Sequence, residues 1–293
     1  MKIKYLYILV IGILFFNSCS KPVANFVIKE VDKVVPAKVT FENNSEKSER
    51  YEWDFGDGKK STDFLPRHEY KRSGNYTIVL KAYKGKKVSI TKKQLVVNAP
   101  LECMIEIETE FGTMLAVLSN ATPLHRDNFI KLAEEGYYND LLFHRVITEF
   151  MIQGGDPNSR NASENAQLGS GGPDYKVSAE FVDTLVHTKG ALAAARTNNP
   201  MKESSGSQFY IVHGKKWKPE QLSFIENQKG IHYSPEQRKM YEEVGGTPHL
   251  DKEYTVFGHV VKGLDVIDKI AAVQKNASDR PLKNVKMTIR VIK

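Results

Sequence analysis

Phe143-His144-Arg145-Val146-Ile147-Thr148-Glu149-Phe150-Met151-Ile152-Gln153-Gly154-Gly155-Asp156 is the most informative stretch of this 293-residue chain. If its two halves are strands, Arg145 and the alternating Phe150, Met151 and Gln153 put a guanidinium, apolar walls and an amide on one face of a sheet. An isolated arginine is ordinarily a surface residue. This one sits among residues that would otherwise form a core. Upstream, Ile105-Glu106-Ile107-Glu108-Thr109 and Met114-Leu115-Ala116-Val117-Leu118 flank the turn Phe111-Gly112-Thr113, a β-hairpin pattern. Thr122-Pro123 opens a helix as N-cap and first position; Phe129, Leu132 and Ala133 form its stripe and Gly136 ends it. A second helix follows Gly263, with Leu264, Ile267, Ile270 and Ala271 on one face. Two helices in a largely β domain predict a closed barrel with capped ends.

Further motifs follow in order: Leu192-Ala193-Ala194-Ala195-Arg196, Gly206-Ser207-Gln208-Phe209-Tyr210-Ile211, Pro248-His249-Leu250-Asp251 and Tyr254-Thr255-Val256-Phe257-Gly258. Together with the first stretch, this series resembles the cyclophilin family across residues 104–292. The resemblance implies an eight-stranded antiparallel barrel with a helix over each end and peptidyl-prolyl cis-trans isomerase activity. It implies that Arg145 is the catalytic arginine. Phe150, Met151, Tyr210 and Leu250 then match the proline pocket, and Gln153 and Gln208 the amides near the substrate backbone. Ala195 and Arg196 match the pair beside the residue before proline. His249 stands where many members have Trp, Tyr254 where many have His, Tyr210 where Phe is usual and Arg196 where Asn is usual. These departures touch substrate preference and inhibitor binding more than the chemistry.

That chemistry calls for no metal, nucleophile or cofactor. Amide resonance sets a rotation barrier of about 18–20 kcal/mol, and X-Pro bonds populate both isomers. Catalysis must weaken the partial double bond in the twisted state. An arginine can donate to the proline nitrogen lone pair, which turns basic only when resonance is lost, and it offers a rigid fork of donors.

The segment from His213 to Gly246 is an insertion relative to that family. Ser234-Pro235-Glu236-Gln237 resembles a capping box and predicts a helix with Met240 and Val244 on one side. Residues 22–98 read as a small sandwich of short strands, with alternating Tyr51-Glu52-Trp53-Asp54-Phe55 and the turn Gly56-Asp57-Gly58. Trp53-Asp54-Phe55-Gly56-Asp57-Gly58, His68-Glu69-Tyr70 and Gly74-Asn75-Tyr76-Thr77-Ile78-Val79-Leu80 resemble the PKD-type immunoglobulin-like domain. That resemblance implies a spacer or a module contacting proteins or glycans. Asp54 and Asp57 are turn formers on this reading, not a calcium cage. Asn98-Ala99-Pro100 is a short linker to a second domain at 102–293.

At the amino terminus, Lys2 and Lys4 precede an apolar run from Tyr5 to Phe16 that is too short to span a bilayer. Phe16-Asn17-Ser18-Cys19 resembles a bacterial lipoprotein cleavage box, which makes residues 1–19 a signal with Cys19 as the lipidated residue. The expected location is extracytoplasmic, on the outer membrane since Ser20 is not the Asp of inner-membrane retention. Cys103, left without a partner, is expected to be buried. Residues 21–101 carry 17 Lys/Arg against 10 Asp/Glu, and residues 102–293 carry 23 against 25. The basic excess is local, so a nucleic-acid partner is disfavoured. The eight histidines show no metal-ligand spacing, and His144 is expected to be a hydrogen-bonding structural residue. The expectation is therefore a mainly β, two-domain envelope isomerase whose partners are proline-containing polypeptides. The alternative is a non-catalytic proline-peptide or glycan-binding envelope protein.

Overall fold

The computed structural model describes residues 20–31, 33–34, 37–70, 72–98 and 103–292. The expected signal, the lipidation residue Cys19 and part of the 98–100 linker lie outside the described residues. The chain forms two compact units, one mainly of Lys38–Glu69 and Asn75–Val96, the other mainly of the residues from Val97 on.

The amino-terminal strands are β1 (Phe26–Val31), β2 (Ala37–Asn43), β3 (Arg50–Asp54), β4 (Lys60–Ser61), β5 (Arg67–Tyr70), β6 (Gly74–Lys84) and β7 (Lys87–Val97). They form two sheets, β1-β2-β5 and β4-β3-β6-β7. Aromatic rings join the sheets: Phe26 of β1 meets Trp53 of β3 edge-on at 5.1 Å, and Phe41 of β2 lies 5.5 Å from Trp53. Trp53 Nε1 donates to the Asp63 carbonyl at 2.9 Å, so its one polar atom is satisfied. Asp54 and Asp57 accept from the backbone N–H groups of Gly56 and Lys59, both at 3.0 Å, and Asp57 also meets His68 at 2.7 Å. The two carboxylates are thus engaged in shaping the turn.

The second unit runs β8 (Cys103–Thr109), β9 (Gly112–Leu118), α1 (Pro123–Glu134), β10 (Leu141–Leu142), β11 (Arg145–Ile147), β12 (Met151–Gly154), β13 (Lys176–Val177), β14 (Ala191–Ala194), β15 (Ser204–Ser205), β16 (Phe209–Val212), α2 (Pro219–Lys229), α3 (Pro235–Glu243), β17 (Val256–Lys262), α4 (Leu264–Ala271) and β18 (Lys286–Ile292). One antiparallel sheet has the order β10-β18-β8-β9-β17-β14-β16-β12-β11. Its edge strands β10 and β11 are only two residues apart in sequence. A chain that short spans at most about 11 Å. The sheet must therefore curl until its edges nearly meet, which makes a barrel. This is the expected mainly β architecture, with nine strands instead of eight because two-residue β10 adds an edge.

Alternation along the strands fills the interior. Ile105 and Ile107 of β8, Met114 and Ala116 of β9, and Ile152, Leu192, Phe209, Ile211 and Phe257 share one core. α1 adds Phe129, Leu132 and Ala133 to it, and α4 adds Val266, Ile267, Ile270 and Ala271. Cys103 is free and buried, as expected. Thr122 occupies the N-cap position of α1, but its side chain makes no cap bond. The Glu180 carboxylate does that work instead, accepting from the Leu124 and His125 N–H groups, both at 3.0 Å. A full negative charge at a helix N-terminus is a stronger acceptor there than a hydroxyl.

The 213–246 segment carries two helices where one was expected. α3 has its capping box: Ser234 Oγ accepts from the Gln237 N–H at 3.2 Å, and the Gln237 side chain accepts from the Ser234 N–H at 2.9 Å. Its buried residue is Tyr241, while Met240 and Val244 are exposed, because α3 packs as one wall of a local core with Leu222 and Tyr233.

Candidate active face

Cross-strand register gathers the expected site residues. Arg145 pairs with Gln153, Gln153 with Tyr210, Tyr210 with Ala193, and Ala193 with Val256. Residues directly opposed across a ladder share a face, so Arg145, Gln153 and Tyr210 stand in one row. Their sequence neighbours Val146, Ile152, Phe209 and Ile211 belong to the barrel core, which puts the row outside it. Beside it a separate apolar cluster holds Met151, Ala193, Ala195, Tyr210, Val212 and Val256, with Phe150, Leu185, Leu250 and Tyr254 half-buried against it. A half-exposed cation thus stands beside an apolar cluster on the outer face of the sheet. Arg145 Nε lies 3.7 Å from Asp279 Oδ2. A cavity of about 620 Å³ opens beside Arg145 and Gln153, lined also by His144, Asn276 and Arg280.

The remaining site residues support this row in different ways. Gln208 donates to the Gly169 and Gly171 carbonyls at 3.0 and 2.7 Å, and its Oε1 accepts from Gln153 Nε2 at 3.2 Å. Gln208 is buried, so its amide fixes the orientation of the more exposed Gln153. The Ala195 N–H donates to the Gln208 carbonyl at 2.9 Å. The Arg196 guanidinium lies over the Tyr254 ring at 4.7 Å and donates to the Glu253 carbonyl at 2.9 Å. It therefore acts on Tyr254, which in turn meets Tyr210 edge-on at 5.9 Å. His249 stacks on Phe150 at 5.7 Å. Burial, with the nearby His187, draws the His249 imidazole below its ordinary range.

His144 departs from expectation. It is buried next to Arg145, and neither ring nitrogen makes a well-formed hydrogen bond. Burial lowers its pKa from 6.5 to about 4, against the opposing pull of the Asp156 carboxylate. Sequence reasoning missed His187, Asp251, Tyr233 and Tyr241, which form a buried hydrogen-bonded chain ending on Tyr210. No local motif announces it, since its members are scattered over more than sixty residues. Among the described residues no group of three or more His, Cys, Asp or Glu gathers that could hold a metal ion.

The model of the cyclophilin type peptidyl-prolyl cis-trans isomerase/CLD family matches residues 104–291, and the chain belongs to this family. A PKD domain model matches residues 19–98. The chain is 39% identical over 184 residues to a Streptococcus pyogenes protein named a bifunctional phosphatase/peptidyl-prolyl cis-trans isomerase, covering 62% of this chain and 37% of that one. It is 35% identical over 185 residues to a Staphylococcus saprophyticus protein named a peptidyl-prolyl cis-trans isomerase, covering 63% of this chain and 88% of that one. Among solved structures it is similar to a cyclophilin type peptidyl-prolyl cis-trans isomerase of Cryptosporidium parvum, at TM-score 0.48 and 22% identity over 66% of this chain and 98% of that one.

Proposed function

We propose that the Arg145–Gln153–Tyr210 row is the active face of this isomerase, and that it acts on proline-containing polypeptides in the bacterial envelope. The observation that carries the reading is the register that sets a half-exposed guanidinium and an amide beside one apolar cluster. Phe150, Met151, Tyr210 and Leu250 take the proline ring. Gln153, held by Gln208, and the edge at Ala195 grip the flanking backbone. His249 and Tyr254 close the groove, with Arg196 behind Tyr254. Arg145 then donates to the proline nitrogen as the bond twists. The testing experiment is an NMR-exchange or protease-coupled assay on an X-Pro tetrapeptide with wild type and Arg145→Ala.

The pH dependence follows from the neighbouring imidazoles. Burial lowers the pKa of both His144 and His249, and at about 4 His144 has released its proton well below pH 6, so its charge does not change between pH 6 and 8. kcat/KM is expected to be flat between about pH 6 and 8, and a bell with limbs in that window would count against the mechanism. Stability behaves differently. The unfolded chain protonates at His144 near pH 6.5 and the folded chain near 4. Stability from this group is therefore complete above about pH 6.5 and is lost as pH falls toward 4, by roughly 3 kcal/mol. Thermal melts across that range should show the loss, and His144→Gln should reduce it.

Cys19 is the anchor in this proposal, with the PKD unit as spacer between lipid and isomerase. Several acyl chains on one residue hold firmly, at about 0.8 kcal/mol per buried methylene. Detergent-phase partitioning of the full chain from bacterial cells tests it. Wild type should enter the detergent phase and Cys19→Ala should not; a wild type that stays aqueous removes the anchor.

A further inference from the structure

The segment from His213 to Gly246 contributes nothing to the row that carries Arg145, yet its hydroxyls reach beneath it. Its helices bury Leu222, Tyr233 and Tyr241 in a small core with Trp217 and Ile231. Two hydroxyls leave that core for a single atom: Tyr233 and Tyr241 each donate to Asp251 Oδ2 at 2.6 Å. Asp251 Oδ1 accepts from the His187 backbone N–H at 2.9 Å and lies 2.7 Å from His187 Nδ1. His187 Nε2 lies 2.9 Å from the Tyr210 hydroxyl. None of the five residues is more than 4% exposed.

The direction of the chain follows from donor inventory. A carboxylate only accepts, so Nδ1 carries the proton that faces it. Nε2, the other ring nitrogen, closes the chain on the Tyr210 hydroxyl at 2.9 Å. Burial opposes ionisation of Asp251, but the His187 and tyrosine hydrogen bonds outweigh it and hold the carboxyl below its ordinary range. Each link is fully satisfied, the condition under which a buried polar chain fixes one geometry. The last link holds the Tyr210 hydroxyl on His187 and leaves its ring in the apolar cluster. Lys229 of α2 adds a second hold, donating to the His249 carbonyl at 2.8 Å.

We propose that Tyr233 and Tyr241 are positioning residues of the proline groove: through Asp251 and His187 they fix the Tyr210 ring, so the 213–246 segment sets how tightly the enzyme holds its substrate proline. The inference rests on the reading of Tyr210 as the groove's floor.

A double-mutant cycle on the full chain tests it, with Tyr233→Phe/Tyr241→Phe at the far end and Tyr210→Phe at the near end. In the wild-type background the far-end change should raise KM for a proline tetrapeptide about fivefold and leave kcat within about twofold. In the Tyr210→Phe background, where the chain is already cut, the same change should raise KM less than about 1.5-fold. An unchanged KM with a lowered Tm, or the same rise in both backgrounds, overturns the proposal and leaves the tyrosines as scaffold. Should the double replacement not fold, Tyr241→Phe alone is read in the same way. Tyr210→Leu separates the two readings. If it leaves KM unchanged, Tyr210 is not the floor; if it raises KM while the cycle is additive, only the relay fails.

Discussion

Arg145→Ala is expected to lower kcat/KM by about 10²- to 10³-fold, or about 2.7–4 kcal/mol, the effect of removing one preorganised donor from a developing charge. The melting temperature should stay within about 1 °C of wild type. The Arg145 side chain is 47% exposed, and its ion pair with Asp279 is long at 3.7 Å. Pairs of this kind contribute about 0–1 kcal/mol to stability. A large rate loss with an intact melt therefore separates catalysis from folding. Arg145→Lys should recover less than about a tenth of the loss, because one mobile ammonium cannot reproduce a rigid planar fork of donors aimed at the proline nitrogen. Equal rates for wild type and Arg145→Ala would reject the mechanism outright.

The row was legible in sequence because strand alternation is a strict two-residue code. Val146, Ile152 and Phe209 fall into the barrel core while Arg145, Gln153 and Tyr210 fall outside it, and no tertiary detail is needed to separate the two sets. α3 was legible from its capping box, a four-residue signal closed by local hydrogen bonds. α2 carried signals of the same kind, Pro219 at its start and Gly230 at φ 64° after its end, but Leu222 and Ile225 are thin as an apolar stripe. The inward face of α3 was misjudged because Tyr241 hides as a polar-looking residue; its ring is buried and its hydroxyl satisfied on Asp251. Glu180 at the start of α1 and the His187–Asp251 pair were illegible, since each joins residues more than fifty positions apart. His144 shows the converse limit: its polarity suggested a bonded residue, whereas its environment keeps it neutral without a well-formed bond.

Gly155→Ala should strike fold and active face together. Gly155 sits at φ +89°, one residue beyond the last pair of the β12–β16 ladder, Gly154 with Phe209. A Cβ there would press into the Ser207 carbonyl oxygen and stand 2.9 Å from the Gln208 Cα, and both are backbone atoms that no rotamer change can move. The left-handed conformation alone costs about 1–3 kcal/mol for a residue with a side chain. With the clash added, a loss of about 2–4 kcal/mol and a fall in Tm of about 5–12 °C are expected. Any relief must push residues 207–208 outward, which drags the Gln208 amide from the Gly169 and Gly171 carbonyls and releases Gln153. Below the melt, kcat/KM should therefore drop about tenfold, the scale on which misplaced binding groups act. Gly58→Ala is the matched control: φ there is +85°, but nothing lies within 4 Å of the added carbon. It should carry the conformational cost without touching turnover. A Gly155→Ala protein that melts within about 2 °C of wild type would mean that the backbone around Gln208 yields freely. The groove would then owe its geometry to something other than the close approach of these two strands.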